Sequence, residues 1–219
     1  MRSFLRLLRT PRVGLTAFLV AVLGMMVSTV VAGAPRAEVW ERWTVHDASS
    51  TARVDHTLWD TFVRAHVRRS ADGIARVNYG SVTKADRSKL HDYVSQLSGT
   101  AVSAFNRTEQ KAFWINLYNA LTVQVVLDHY PVESIREISI SPGFFTTGPW
   151  GKKLVEIEGE PVSLDDIEHR ILRPIWKDPR IHYAVNCASL GCPNLASEAF
   201  HAGNLETLLD RGARDYVNH

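Results

Sequence analysis

Apolar positions along the chain recur with two periods, and the switches between them mark the elements. Leu58, Trp59, Phe62, Val63, His66 and Val67 fall at helical spacing and the pattern breaks over Ser70–Gly73, which predicts a first helix with His66 packed on its buried stripe. Ile74 to Tyr79 alternates like a short strand. Leu90, Tyr93, Val94 and Leu97 then predict a second helix closed at Gly99. Asn106 to Glu109 is an Asn-x-x-Glu start signal, and from Gln110 to Leu127 the chain is apolar on nearly every side, as in a central buried helix ended by Pro131. Two amides, Asn116 and Asn119, interrupt this cylinder on the face of Ala112 and Val123. A buried amide without partners costs about 1–3 kcal/mol, so these must either anchor backbone or line a pocket.

Downstream, Ser141–Gly151 is a loop rich in Gly, Pro and aromatic residues and reads as a mobile wall carrying Trp150. Lys153–Ile157 alternates as a strand, Glu158–Glu160 is a turn, and Ser163-x-x-Asp166 opens a helix to about Leu172. Leu164, Ile167, Glu168 and Ile171 share one stripe of it, so Glu168 faces the core and must be hydrogen-bonded or ion-paired. A buried arginine partner and a catalytic role both meet that demand. His169 sits one residue round, towards a cleft. From Ile181 to Cys187 residues alternate, Ile181, Tyr183, Val185 and Cys187 against His182, Ala184 and Asn186, which predicts a strand packed on one face. Ala188–Gly191 follows as a tight loop, Cys192-Pro193 as the start of a new element, and Asn204 as the cap of a last helix buried through Leu205, Leu208 and Leu209. The sum is an α+β fold: a single, mainly helical domain with a small antiparallel sheet.

Composition changes this picture at the N-terminus. Residues 1–34 carry Arg2, Arg6, Arg9 and Arg12, no acid, and an apolar run from Val13 towards Ala32. That is the layout of an export signal, and the run is also long enough for a membrane anchor. A periplasmic or extracellular protein is expected, touching the membrane only if the segment stays uncleaved. Residues 35–57 read as a linker that docks through Trp40 and Trp43, and residues 58–219 as the domain. Without the four N-terminal arginines, 21 Lys and Arg stand against 23 Asp and Glu. No basic patch with interleaved aromatics remains, which removes the electrostatic footprint of nucleic-acid binding.

The chemistry concentrates in Arg180–Leu195, RIHYAVNCASLGCPNL, which holds both cysteines of the chain. Two cysteines five apart in an exported protein suit a disulfide. They lack the further ligands of a closed zinc site, so neither metal nor cofactor is expected. A reactive thiol is the other reading, with Cys192 in the loop as nucleophile and Cys187 on the apolar side. His169 is then the general base and Glu168 orients a histidine. Adjacent positions on one helix do not aim Glu168 at His169, so His182 is a rival base. Asn116 and Asn119 offer amides to a carbonyl, and Asn186 and Trp150 complete the candidate substrate contacts. On this reading the chain is a thiol-dependent hydrolase or transferase acting on a peptide, an amide or a small thiol compound. The alternative is a non-catalytic envelope binding module with the same pocket and a Cys187–Cys192 staple. Oligomeric state has no signal in the sequence.

The blocks AFWINLYNALT (112–122), SLDDIEHRILRP (163–174), DPRIHYAVNCASLGCPNL (178–195) and NLETLLDRGARDYVN (204–218) together resemble the domain of unknown function 547 family. The likeness extends upstream to LWDTFVRAHV and VNYGSV. It implies a family of bacteria, plants and nematodes, with papain-like thiol enzymes as relatives and a papain-like fold. Members usually continue well past the equivalent of Asn218 with further strands and helix, so the resemblance implies a shortened product, less stable or inactive.

Overall fold

A computed structural model of the protein describes residues 37–143, 146–189 and 191–219. The export-signal expectation lies outside these residues. Residues Pro35–His219 make up one compact unit. Its helices and strands, in order, are α1 (Thr57–His66), β1 (Val67–Arg69), β2 (Ala75–Val77), α2 (Lys84–Ser98), α3 (Arg107–His129), β3 (Lys153–Ile157), β4 (Glu160–Ser163), α4 (Arg173–Trp176) and α5 (Leu205–Val217). The fold is α+β, but its strands form two antiparallel pairs, β1–β2 and β3–β4, where the sequence suggested one small sheet.

Helix α3 is the axis of the core, and its start is built as its sequence demands. Asn106 Oδ1 accepts from the N–H groups of Thr108 and Glu109, both at 3.1 Å. The Glu109 carboxylate does not close the box by reaching back. It is buried and takes Arg53 at 2.8 Å instead, tying the preceding segment to the helix. Every residue from Glu109 to Val123 is buried, which accounts for a helix with apolar side chains all round. Among the described residues no helix is long and apolar enough to cross a membrane. Around α3 pack α2, the helical segment after β4, and α1 through α2. His66 is packed against Phe62 on the α1 stripe, with ring centroids 4.8 Å apart.

The stretch after residue 37 is fastened rather than loose. Trp43 is buried edge-on against Trp114 of α3, and Trp40 donates its N–H to Arg170 O at 2.9 Å while its ring lies under the Arg170 guanidinium. Burying an indole removes enough apolar area to contribute roughly 4 kcal/mol before the entropy of ordering is subtracted.

Three elements differ from the sequence reading: among the described residues no helix or strand starts at Cys192-Pro193, and two others take another form. Ser163 and Asp166 make the expected reciprocal cap, but the helix they open is π-helical over Asp166–Leu172 before continuing as α4. The strand expected over Ile181–Cys187 is instead a short 3-10 helix, Pro179–Tyr183, followed by irregular chain. Pro179 supplies a helical φ, and Asp178 caps the turn by accepting from Arg180 N–H at 3.0 Å. The buried residues are Ile181, Ala184 and Val185, a helical rather than an alternating set, and among the described residues this stretch pairs with no strand.

Candidate functional site

The loop after this 3-10 helix is held from α3. Asn119 Nδ2 donates to Ala184 O at 2.9 Å, and its Oδ1 accepts the Asn186 N–H at 2.9 Å. Asn186 repeats the device: its amide donates to Pro193 O at 2.6 Å and accepts from Ala188 N–H at 2.9 Å, closing the loop on itself. Ala188, inside this closure, takes a left-handed φ of 56°. Cys187 and Cys192 are joined by a disulfide across the same loop, and both are half-buried. Asn116 serves the next segment in the same way, bonding both the C=O and N–H of Phe200 at 2.7 and 3.0 Å. The two helix amides are 0% and 1% exposed, so they face backbone and not a pocket. Of the two roles the sequence left open, these bonds make the anchoring one.

Glu168 and His182 meet through a residue the sequence reading passed over. In the π-helical stretch positions five apart stack, so Arg173 lies over Glu168, with one guanidinium nitrogen 2.5 Å from Glu168 Oε1. The same nitrogen lies 3.1 Å from His182 Nδ1. A guanidinium carries only donors, so Nδ1 accepts and the imidazole hydrogen sits on Nε2. Burial, aided by the Glu168 carboxylate, pushes the neighbouring Tyr118 phenol well up, which keeps it a neutral donor. His169 is buried and lies near Asp165. Burial raises the Asp165 carboxyl above its usual range, with His169 and Lys153 opposing and Glu168 and Asp166 adding to the rise.

The expected catalytic set is therefore divided. No hydrogen bond joins Cys192 to His169 or His182, and Glu168 is bonded to an arginine where the sequence reading had it orienting a histidine. Trp150 sits by Asp165, whose N–H its carbonyl accepts at 3.0 Å, with its ring against Gly148. A Cβ added there falls within 2.1 Å of the indole, so the glycine is required by the close approach as well as by its φ of 77°. The other aromatic residues of that loop, Phe144 and Phe145, lie outside the described residues.

Cys192 and Asn186 do share a cleft, of about 370 Å³, whose opposite wall is the hairpin strand β2 with Tyr79 and Glu133. This volume is in the range that holds small ligands or a few peptide residues. Burial pushes the Tyr79 phenol well above its usual range, and its ring stacks on Tyr130. Asn194, at the end of the cleft, crosses to the hairpin: it accepts Ala75 N–H at 2.7 Å and donates to Gly73 O at 3.0 Å. Neither Asn194 nor Glu133 has a local sequence signature: the partners of Asn194 lie far away in the chain, and Glu133 reaches the cleft from a separate segment.

Residues 102–217, more than half of the chain, match the family described as Protein of unknown function, DUF547. The chain belongs to this family. The match takes in α3, the Glu168–Arg173 pair and the whole disulfide loop, while α1 and the first hairpin precede it. No curated protein and no solved structure matches the chain.

Proposed function

We propose that the protein is an exported, non-catalytic binding module of the cell envelope, in which the disulfide loop forms one wall of the ligand cleft. The Cys187–Cys192 bond is the observation that carries this reading. A sulfur held in a disulfide has no thiolate to attack with, and disulfides persist in oxidising compartments. The bond also suits the arginine-led apolar segment at the N-terminus, the basis for placing the protein outside the cytoplasm. Further support comes from the two histidines, neither of which is bonded to Cys192, and from Asn119 and Asn186, which hold the loop without help from substrate. The papain-like thiol hydrolase or transferase is the reading this displaces.

The test is a search for thiol chemistry. Oxidised and reduced protein are incubated with fluorogenic peptide-amide and thioester substrates beside the Cys187→Ala/Cys192→Ala double variant. The expected result is no turnover above that variant in either redox state. Turnover by the reduced protein that Cys192→Ala alone abolishes would overturn the proposal.

A further inference from the structure

The register of the β1–β2 hairpin determines which of its backbone groups are already bonded. Ser70 N–H donates to Ile74 O and Asn78 N–H to His66 O, and the pairs between them are Val67 with Val77, Arg68 with Arg76 and Arg69 with Ala75. Bonded and non-bonded pairs alternate along an antiparallel ladder. Arg68 and Arg76 therefore bond each other, and the N–H and C=O groups of Ala75 and Val77 turn to the outer edge of β2. The Ala75 N–H meets the Asn194 carboxamide, which also donates to Gly73 O. That side-chain amide stands where the peptide group of a third strand would stand. Beyond it, the Val77 N–H and C=O and the Ala75 C=O have no hydrogen-bond partner among the described residues.

This edge is one wall of the cleft that Cys192, Asn186 and Glu133 complete. Its charge is set by one residue. Arg76 lines the cleft too, but its guanidinium is held by both oxygens of Asp72, at 3.0 and 2.7 Å. Glu133 is exposed and forms no ion pair among the described residues.

We infer that the outer edge of β2 docks an extended peptide bearing a lysine or arginine, which adds as a third strand opposite Val77 with its basic group at Glu133. The inference rests on the binding-module reading and names its ligand class. Three features select this occupant. A donor and an acceptor on one residue match the paired groups of a peptide backbone. The Asn194 amide, already seated on the same edge, shows that the geometry accepts an amide. The carboxylate of Glu133 favours a cation.

The experiment measures fluorescence anisotropy of fluorescein-labelled Gly-Ala-Ala-Lys-Ala-Ala amide on the oxidised full-length protein. Its comparisons are the same peptide with Glu for Lys and a version N-methylated on its lysine and on the alanine to either side. Saturable binding is expected for the lysine peptide, weaker by about tenfold for the glutamate peptide and lost on N-methylation, since a carboxylate facing Glu133 and a missing N–H each remove a main source of affinity. Glu133→Gln should weaken the lysine peptide about fivefold, the loss of one partly exposed ion pair. Val77→Pro should abolish binding. Its N–H lies outside the ladder, so the thermal transition should survive. If Val77→Pro fails to fold, the N-methylated peptide alone decides.

No saturable binding by the folded, oxidised protein overturns the proposal, as does binding indifferent to N-methylation. So does self-association of the unliganded protein that the lysine peptide fails to compete away, which would give the edge to a second copy. Cleavage of the bound peptide, seen by mass spectrometry, would overturn the binding-module reading and uphold the docking of a peptide at this edge.

Discussion

Asn119 holds Asn186 by the backbone: the side-chain oxygen of one accepts the N–H of the other at 2.9 Å, from the middle of a buried helix to the base of the disulfide loop. Replacing Asn119 with alanine removes this bond and the one to Ala184 O, leaving two polar backbone groups without partners. The expected loss is about 2–4 kcal/mol, from the penalty on each orphaned group. Urea unfolding measures it. Hydrogen exchange at Asn186 should accelerate more than exchange at Phe200, which Asn116 continues to hold. Equal acceleration at both sites would show that the helix, not the loop, had been loosened.

Much of this frame was legible in the sequence and some of it was not, for reasons that differ by residue. Helix α3 was clear because Asn106 caps it by a local bond and apolar residues cover every face, signals that need no knowledge of the rest of the chain. Ile181–Cys187 was misread because alternation over seven residues is weaker evidence than Asp178-Pro179, a cap followed by a helical first residue. Glu168 was expected to be buried and to need a partner. That partner, Arg173, was missed because α-helical spacing looks three and four residues ahead, and a π-helical turn brings the fifth. The cleft was not legible at all: its walls are more than 100 residues apart in the chain, at Ala75 and Asn194.

Glu168 should behave as a structural anion. Glu168→Gln keeps the shape and deletes the charge opposite Arg173, whose side chain is 37% exposed while that of Glu168 is 13%. The expected cost is about 1–2 kcal/mol, less than for a fully buried pair because water reaches the guanidinium. Peptide binding at the β2 cleft should be unchanged. A variant with unaltered melting temperature and lost function would return Glu168 to the catalytic role.

Acid should weaken the protein through His56. This imidazole is buried, its Nδ1 lies 2.6 Å from the Tyr93 hydroxyl, and burial lowers its pKa to about 4. The unfolded chain protonates near 6.5 while the folded one does not, so the contribution is complete above pH 6.5 and is lost as pH falls towards 4. At most about 3 kcal/mol is at stake. The stability of His56→Gln should fall less across that window than that of the native protein, measured by chemical denaturation at a series of pH values. Parallel pH profiles for the two would contradict the assignment.

Gly212 lies inside α5, where alanine would ordinarily be better by about 1 kcal/mol. Here a Cβ would come within 2.8 Å of Tyr183 O, the carbonyl of the last residue of the short 3-10 helix. Gly212→Ala should therefore destabilise by about 1–3 kcal/mol, because α5 must move off its support. Thermal denaturation gives the sign directly, and a rise in melting temperature would contradict the close packing.

The central claim is that Cys187 and Cys192 are a closed staple in the working protein, and counting their thiols tests it most directly. Protein taken directly from the cells that produce it is quenched in acid, unfolded, alkylated with iodoacetamide with or without prior reduction, and weighed by mass spectrometry. The account predicts no adduct without reductant and two with it, one on each cysteine of the Cys187–Cys192 bond. Two adducts without reductant, with native-state labelling of Cys192 slowed by His169→Ala or His182→Ala, would contradict it.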